Sequence, residues 1–275
     1  MSTHSITKRV SVPELRARKN QEKIVALTAH GCAIARIIDE HVDFILVGDS
    51  AAMVAYGHPN TLSITVDQLA AHGAAVVNAT SHACVAVDMP FGSYQESPEL
   101  AFRNAAKIMS TSGASCVKIE GGTVLAPTVR YLVDRGIPVV AHVGLMPQYL
   151  NTMGGFRAQG LDEASAQKII EDALAHEAAG AFLLVLEGIG EPLARKITNM
   201  VSIPTIGIGA SPECDGQILV SEDVLGLSGS KVLRFVKQYL DGEALIRSAV
   251  GQYAADVKSG AFPEAQHCFG IKAAK

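Results

Sequence analysis

Charged side chains are scarce in this sequence: Asp, Glu, Lys and Arg make up 18% of its 275 residues, against about 25% in ordinary globular proteins. So low a charged fraction predicts that part of the protein surface is buried in subunit contacts, although covering both faces of a sheet would also lower the charged fraction. The net charge of -4 and the isoelectric point near 6.1 show no excess of basic residues. Nucleic acids and anionic membranes are therefore not expected as partners.

Signals for export and membrane insertion are missing as well. The N-terminus lacks the apolar core of a signal peptide, and no apolar run approaches the roughly 20 residues that span a bilayer. The five cysteines form no CxxC pair, and their odd number argues against a closed disulfide framework. We therefore expect a cytoplasmic protein that binds no membrane.

What the chain does contain is a repeated design, in which a buried strand ends in a polar group. Residues 44–47 (FILV) form an unbroken apolar run, typical of a strand covered on both faces, and Asp49 and Ser50 follow almost at once. Three further runs end in a carboxylate and one ends in an imidazole; their last residues are Asp88, Glu120, Glu187 and His142. This repetition predicts one shared site at the carboxyl ends of the strands.

The order of elements predicts the fold class, which is α/β. Eight strands alternating with helices favour a single domain over residues 1–275, a closed (β/α)8 TIM barrel, rather than an open doubly wound sheet. A capping-box pattern at residues 11–14 predicts an N-terminal helix that closes one end of the barrel. The eighth strand is weak, since residues 216–220 and 225–227 could each serve, and a long helix is expected over roughly residues 231–257.

In such a barrel the loops after the strands open on one face, so the five strand-end groups are expected to converge. Each has a structural alternative, for example Asp49 as a turn cap or Glu120 in an ion pair. Acidic residues are 27 of the 275, about one in ten, whereas four of these five strand ends carry one. Chance placement explains that poorly, and a functional site is the better interpretation.

The charge of this predicted site calls for cations. Crowded carboxylates repel one another unless a cation lies among them, and oxygen ligands without a His/Cys cluster favour Mg²⁺ over zinc. Lys118 stands two residues before Glu120 in one strand, so both side chains point into the barrel. A lysine there needs an anion, which is either Glu120 in an internal pair or a substrate carboxylate.

Seven runs, in order along the chain, carry a more specific signal. They are residues 47–50 (VGDS), 87–94 (VDMPFGSY), 117–122 (VKIEGG), 142–148 (HVGLMPQ), 154–160 (GGFRAQG), 185–187 (VLE) and 206–210 (IGIGA). Together they closely resemble the ketopantoate hydroxymethyltransferase family. The resemblance extends from the N-terminal helix to the tail at residues 259–263.

This resemblance implies a barrel of the phosphoenolpyruvate mutase/isocitrate lyase-like type and a folate-dependent, aldol-type reaction. In it, 5,10-methylenetetrahydrofolate and 3-methyl-2-oxobutanoate give 2-dehydropantoate and tetrahydrofolate, the first committed step of pantothenate biosynthesis. The folate is the co-substrate and Mg²⁺ the cofactor. A homodecamer is the implied assembly.

The resemblance also assigns roles to single residues. The implied Mg²⁺ ligands are Asp49, Asp88 and Glu120, the last directly or through water. The implied substrate-binding set is Asp49, Ser50, Asp88 and Lys118, of which Ser50 and Lys118 hold the substrate carboxylate. Glu187 is implied as the base that removes the C3 proton, and His142 as a catalytic residue with an orienting role.

The chain departs from the family pattern at the end of the first strand. Residues 28–31 (TAHG) stand where the family usually has Thr-Ala-Tyr-Asp, so His30 and Gly31 replace two side chains at the barrel mouth. Two rival functions stay open: a Mg²⁺-dependent lyase or mutase of the isocitrate lyase/phosphoenolpyruvate mutase type, and a catalytically silent barrel used for binding or assembly. The cysteines occupy no Lys-Lys-Cys-Gly-His-type loop of the lyases, and retention of every proposed ligand speaks against the silent barrel.

Overall fold

A computed structural model describes residues 9–229 and 232–270, and its sheet closes into a barrel of eight parallel strands in chain order. The last strand pairs with both the seventh and the first. The strands are β1 (Ile24–Thr28), β2 (Phe44–Val47), β3 (Cys84–Asp88), β4 (Cys116–Glu120), β5 (Val139–Gly144), β6 (Leu183–Glu187), β7 (Thr205–Ile208) and β8 (Gly216–Leu219). The predicted (β/α)8 barrel is confirmed, and the first of the two candidates for the eighth strand is the right one.

Helices connect the strands. They are α1 (Val12–Arg16), α2 (Cys32–Ile38), α3 (Ala51–Val54), α4 (Val66–Ala79), α5 (Pro98–Ser112), α6 (Ala126–Val133), α7 (Leu150–Met153), α8 (Glu163–Ala178), α9 (Glu191–Met200), α10 (Ser221–Val224) and α11 (Gly242–Ser259), with 3-10 turns at Thr123–Leu125, Pro147–Tyr149 and Ala265–His267. Helix α5 has local signals at both ends, because Ser97 caps its N-terminus and Gly113 ends it in the left-handed conformation.

Two apolar clusters explain why the strands read as continuous hydrophobic runs. Alternate strand residues, such as Phe44 in β2 and Val185 in β6, fill the inside of the barrel. Their neighbours, such as Ile45 and Leu184, belong to the larger cluster that includes residues of the surrounding helices. Since a strand of a parallel barrel is covered on both faces, no polar alternation remains in its sequence.

The short helix α1 closes the amino-terminal end of the barrel, as predicted. Ser11 and Glu14 form the expected capping box, in which the Glu14 carboxylate accepts a hydrogen bond from Ser11 N at 2.8 Å. Leu15 is fully buried and belongs to the inner cluster, together with Ile24 of β1. The helix therefore adds an apolar plug below the first layer of strand residues.

The chain divides into two compact units, Met1–Ser221 and Glu222–Lys275, and all eight strands lie in the first. The single-domain interpretation of residues 1–275 stays a prediction. The long helix predicted from residue 231 is wrong at its start: residues 230 and 231 lie outside the described chain, and α11 begins only at Gly242. Asp241 caps it, and a Cβ on Gly242 would lie 2.3 Å from the Leu225 carbonyl oxygen, so close backbone packing fixes the boundary.

Across residues 9–229 and 232–270, none of the helices combines the length and the apolar character that a bilayer crossing requires.

Candidate active site

The top layer of inward-facing strand residues is charged, in contrast to the apolar layers beneath it. In β4 the inward positions run from Cys116 through Lys118 to Glu120, and in β6 they run from Leu183 through Val185 to Glu187. The register aligns Asp88 with Lys118 and Glu120 with His142 on neighbouring strands. Strand periodicity and barrel closure together therefore collect these side chains at the carboxyl ends of the strands.

The charged side chains form a continuous row across four strands. Lys118 Nζ lies 2.9 Å from Asp88 Oδ1 and 3.8 Å from Glu120 Oε2. His142 bridges the next two members, with Nδ1 3.3 Å from Glu120 Oε2 and Nε2 3.4 Å from Glu187 Oε2. Four of the five are at most 5% exposed, whereas the Glu187 side chain keeps 19% of its surface accessible.

Asp49 and Ser50 join this row from the turn between β2 and α3. The Asp49 backbone N–H donates to Asp88 Oδ2 at 2.9 Å, which holds the two aspartates together. The turn packs closely around Gly48, where a Cβ would lie 2.9 Å from Ser50 Oγ and 3.6 Å from Asp88 Oδ2. The turn thus brings the Asp49 backbone against the end of β3.

Burial without enough donors changes the proton affinities of the carboxylates. Desolvation, followed by the charges of Asp88 and Glu120, raises the pKa of Asp49 well above its ordinary value. Desolvation likewise raises the pKa of Asp88, although Lys118 opposes it, and desolvation raises that of Glu187. The three groups are therefore poised to take up a proton or a cation.

Glu120 and Lys118 shift toward their charged forms. Burial would raise the pKa of Glu120, but the contacts with His142 and Lys118 outweigh it and lower that pKa. Burial would lower the pKa of Lys118, but the carboxylates of Asp88, Glu120 and Asp49 raise it. Lys118 thus stays charged, and it pairs chiefly with Asp88 rather than with Glu120, the partner considered from the sequence.

Gln148 is a member of this site that sequence reasoning did not assign. Its side-chain Nε2 donates to Asp49 Oδ2 at 2.9 Å and to the Met89 carbonyl at 3.0 Å, and its backbone N–H donates to Glu120 Oε1 at 2.5 Å. The hydroxyl of Tyr94 donates to Gln148 Oε1 at 2.8 Å. Gln148 therefore fixes two carboxylates at once; its place in the run at residues 142–148 was the available signal.

Two carboxylate oxygens are left with capacity for a cation. Within residues 9–229 and 232–270, neither Asp88 Oδ1 nor Glu120 Oε2 has an aligned hydrogen-bond partner, although both contact Lys118. In the same part of the chain, no three His, Cys, Asp or Glu side chains form a closed ligand set for an ion. An ion that takes one or two carboxylates and keeps several waters fits this donor set, which is the habit of Mg²⁺.

The first strand contributes the histidine that departs from the family pattern. His30 follows β1, is 8% exposed, and places Nε2 3.2 Å from Ser50 Oγ. Its carbonyl oxygen accepts a hydrogen bond from His72 Nδ1. The substituted position thus touches the hydroxyl that the family resemblance assigns to the substrate carboxylate.

The three buried cysteines take no part in this row. Cys84 and Cys116 are fully buried in the inner apolar cluster, and Cys214 is buried in the outer one. None of the three contributes to the charged layer at the strand ends. The geometry therefore offers carboxylates, a lysine and an imidazole for proton transfer and anion binding, and no thiol nucleophile from these positions.

Comparison with solved structures agrees with the fold of the barrel. A structure of phosphoenolpyruvate phosphomutase from Streptomyces platensis subsp. rosaceus matches with a TM-score of 0.61 at 12% identity, covering 91% of this chain and 88% of that one. A structure of 2,3-dimethylmalate lyase, a PEP mutase/isocitrate lyase superfamily member, matches with a TM-score of 0.59 at 17% identity, covering 96% and 91%. These likenesses confirm the predicted barrel type.

Sequence relatives are much closer. A 3-methyl-2-oxobutanoate hydroxymethyltransferase from Parvibaculum lavamentivorans is 55% identical over 275 residues, covering all of both chains. Another from Pseudomonas aeruginosa is 53% identical over 272 residues, covering 99% of this chain and 100% of the relative. The model of the ketopantoate hydroxymethyltransferase family matches residues 9–265. With its charged strand ends intact, the chain belongs to the ketopantoate hydroxymethyltransferase family.

Proposed function

We propose that this enzyme transfers a hydroxymethyl group from 5,10-methylenetetrahydrofolate to 3-methyl-2-oxobutanoate. The products are 2-dehydropantoate and tetrahydrofolate, with one water consumed, and the reaction is the first step of pantothenate biosynthesis. Full-length relatives at 53–55% identity carry the name of this activity. The observation that supports it most directly is the row from Asp88 to Glu187, which puts a charge clamp and a base in one barrel mouth.

The proposed Mg²⁺ ligands are Asp49, Asp88 and Glu120, of which at most two bind the ion directly while the third acts through a water molecule. When bound, Mg²⁺ supplies Lewis acidity, which polarises a 2-oxo acid and stabilises its enolate by several kcal/mol. Asp88 Oδ1 and Glu120 Oε2, which lack an aligned hydrogen-bond donor, support this assignment. The raised pKa of Asp49, caused by desolvation and by repulsion from Asp88 and Glu120, supports it as well. The same cation would neutralise that repulsion.

The substrate carboxylate is held, in this proposal, by Ser50 and Lys118, with Asp49 and Asp88 completing the substrate-binding set. Lys118 is charged and buried, so it can pair with a substrate anion in place of part of its contact with Asp88. Ser50 Oγ can donate to the same anion, and it also lies 3.2 Å from His30 Nε2. Both groups hold the substrate without taking part in proton transfer.

Glu187 is the proposed base for the C3 proton. Burial raises its pKa, which brings a carboxylate closer to the proton affinity that general-base catalysis at neutral pH requires. The imidazole of His142, 3.4 Å away, orients the carboxylate and links it to Glu120. Water hydrolyses the methylene bridge of the folate, so both of its C–N bonds break, N5 and N10 regain their protons, and tetrahydrofolate and a formaldehyde unit result. The C3 carbanion adds to the carbon of that unit and its oxygen takes up the proton that Glu187 removed, so no covalent enzyme intermediate is needed.

The decisive experiment separates proton transfer from folate chemistry. With Mg²⁺ in D₂O and no folate, the wild-type protein should exchange the C3 hydrogen of 3-methyl-2-oxobutanoate. Glu187→Gln should slow this exchange by about 100- to 10,000-fold, because the amide keeps the shape of the carboxylate but cannot accept the proton. Proton NMR follows the exchange as the doublet of the substrate methyl groups collapses.

Glu163→Gln, an exposed glutamate on α8, is the matched control and should exchange at the wild-type rate. Undiminished exchange in Glu187→Gln would remove Glu187 as the base. A wild-type protein that binds 3-methyl-2-oxobutanoate without exchanging it would refute the enolate route. Cleavage of 2-methylisocitrate or oxaloacetate would then support the rival lyase.

Self-association is the remaining part of the proposal, with a homodecamer in the cytoplasm as its specific form. Ile246, Val250, Tyr253 and Val257 on α11 are each 47–59% exposed and recur every three or four residues, so they form one apolar helix face. Together with the low charge content, this face supports burial against other copies. Sedimentation velocity measures the oligomer directly, and a monomer at micromolar concentration would contradict the proposal.

A further inference from the structure

A cavity outside the charged row lies between two of the connections that follow strands. It has a volume of about 330 Å³ and lies between residues 62–66, which end at the first residue of α4, and residues 90–93, after β3, with Asn104 of α5 as a further wall. Residues 62–65 lie between α3 and α4 in the connection that follows β2, and residues 90–93 lie between β3 and α5, so both segments belong to connections after strands, at the active face of the barrel. The volume suits a compact bicyclic ring rather than a complete folate.

The walls of this cavity carry both kinds of group that hold a flat heterocycle. Ser93 is 5% exposed, and its Oγ finds no hydrogen-bond partner within the described part of the chain. A buried hydroxyl left in this way carries a free-energy cost unless a ligand completes its bonding. Phe91 lines the same cavity with half of its surface exposed, which leaves a ring face available for stacking.

The loop that carries Phe91 and Ser93 is held in place. Ser93 N donates to the Pro90 carbonyl at 3.1 Å, and Asn104 Nδ2 donates to the Ser93 carbonyl at 2.7 Å. Gly92 N donates to Gln95 Oε1 at 2.8 Å. The cavity wall is therefore a braced turn.

The same loop is hydrogen-bonded to the proposed metal site. Gln95 Nε2 contacts Gln148 Oε1 at 3.2 Å, and Gln148 Nε2 reaches both the Met89 carbonyl and Asp49 Oδ2. Pro90, on the cavity wall, stands only two residues after Asp88, so their Cα atoms are at most about 7 Å apart. A ring in this cavity thus lies next to a substrate bound at Asp88.

We propose that this cavity is the subsite for the pterin ring of the folate co-substrate, with Phe91 stacking on the ring and Ser93 Oγ hydrogen-bonding its polar edge. This inference rests on the proposed function. The transferred carbon of 5,10-methylenetetrahydrofolate bridges N5 of the pterin and N10, so the ring has to lie beside C3 of the other substrate. A serine hydroxyl can both donate to and accept from the amide-like edge of a pterin.

Phe91→Ala and Ser93→Ala test the subsite in the full-length enzyme. Loss of stacking or of one hydrogen bond should raise the KM for 5,10-methylenetetrahydrofolate about tenfold. The KM for 3-methyl-2-oxobutanoate and the folate-independent C3 exchange should stay at wild-type values. Phe91→Tyr keeps the ring face and should restore most of the folate affinity. Val124→Ala truncates a side chain that is 83% exposed on the loop after β4, and it should leave all these values unchanged.

Binding of two fragments identifies the part of the folate in the cavity. By NMR saturation transfer, 6-methylpterin should bind the wild type and lose affinity in both alanine variants, whereas p-aminobenzoylglutamate should bind all three equally. The reverse pattern, an unchanged folate KM in both variants, or a parallel loss of C3 exchange would each overturn the subsite. A wild type that binds 6-methylpterin but transfers no one-carbon unit would refute the proposed function and leave the pterin site standing.

Discussion

Asp215 and Asp49 are buried carboxylates at opposite ends of the same barrel, and their surroundings differ in kind. Asp215, just before β8, accepts hydrogen bonds from Lys19 Nζ at 2.9 Å, Asn20 N at 2.9 Å and Thr205 N at 2.8 Å. These donors outweigh its desolvation, so its pKa is lowered. Asp49, just after β2, has Gln148 as its hydrogen-bond donor and faces two carboxylates, and its pKa is raised.

The same contrast holds for a second pair. Asp39, at the end of α2, accepts from the backbone N–H groups of Ser81, His82 and Ala83, and these bonds lower its pKa despite burial. Asp88 has one backbone donor and one lysine, and its pKa is raised because desolvation prevails. Carboxylates at the base of the barrel are satisfied by the fold, whereas those at the mouth are left to be satisfied by a ligand.

Matched substitutions of aspartate by asparagine at the two ends of the barrel should test this contrast with the largest effects. Asp215→Asn presents an amide to donors that need acceptors, so it should lower the unfolding free energy by about 3–5 kcal/mol. Asp49→Asn removes a charge that repels its neighbours and can still accept from Gln148, so in metal-free buffer it should raise the unfolding free energy. Urea unfolding of both variants at pH 7.5 with EDTA measures the two signs. Equal destabilisation would show that the two ends of the barrel do not differ.

Gln148→Met should weaken metal binding at the mouth of the barrel and leave the carboxylates at its base unaffected. The change removes the donor that orients Asp49, and it should reduce Mg²⁺ affinity about 10- to 100-fold, as for other residues that support metal ligands. Calorimetric titration of Mg²⁺ measures the effect, with Gln167→Met on the exposed surface of α8 as the control. Undiminished Mg²⁺ binding in Gln148→Met would separate Gln148 from the metal site.

The smallest expected effect is on the loss of folding stability at low pH. Because the pKa of Asp39 is lowered on folding, its stabilising contribution is complete above the unfolded value of about 3.9 and is lost as the pH falls through the folded value. Glu187 has the opposite sign: its pKa is raised, so stability falls as the pH rises from about 4.3 through the folded value. Asp39→Asn should therefore flatten the loss of stability below pH 4, as followed by circular dichroism. If Asp39→Asn and the wild type lose stability equally below pH 4, Asp39 is not a stabilising anion.

Sequence reasoning succeeded where a local pattern fixes the structure. Helix α5 carries both its cap and its terminating glycine, so its limits are readable from residues 97–113. It failed for the start of α11, where apolar residues after 231 follow a helical period but Asp241 and the packed Gly242 set the first turn. The short helices α3 and α7 were missed because four residues carry too little periodicity.

The sequence by itself determined the closed barrel and the face on which its charged groups stand. Strand side chains alternate with a period of two, so Lys118 and Glu120 had to point inward together, and successive parallel strands had to end on the same side. Only the tertiary structure decided which groups meet. Gln148 is 99 residues from Asp49 along the chain, and Lys118 pairs with Asp88 through the register of β3 and β4. Such partners depend on barrel closure and on loops folding over its mouth, which no local pattern encodes.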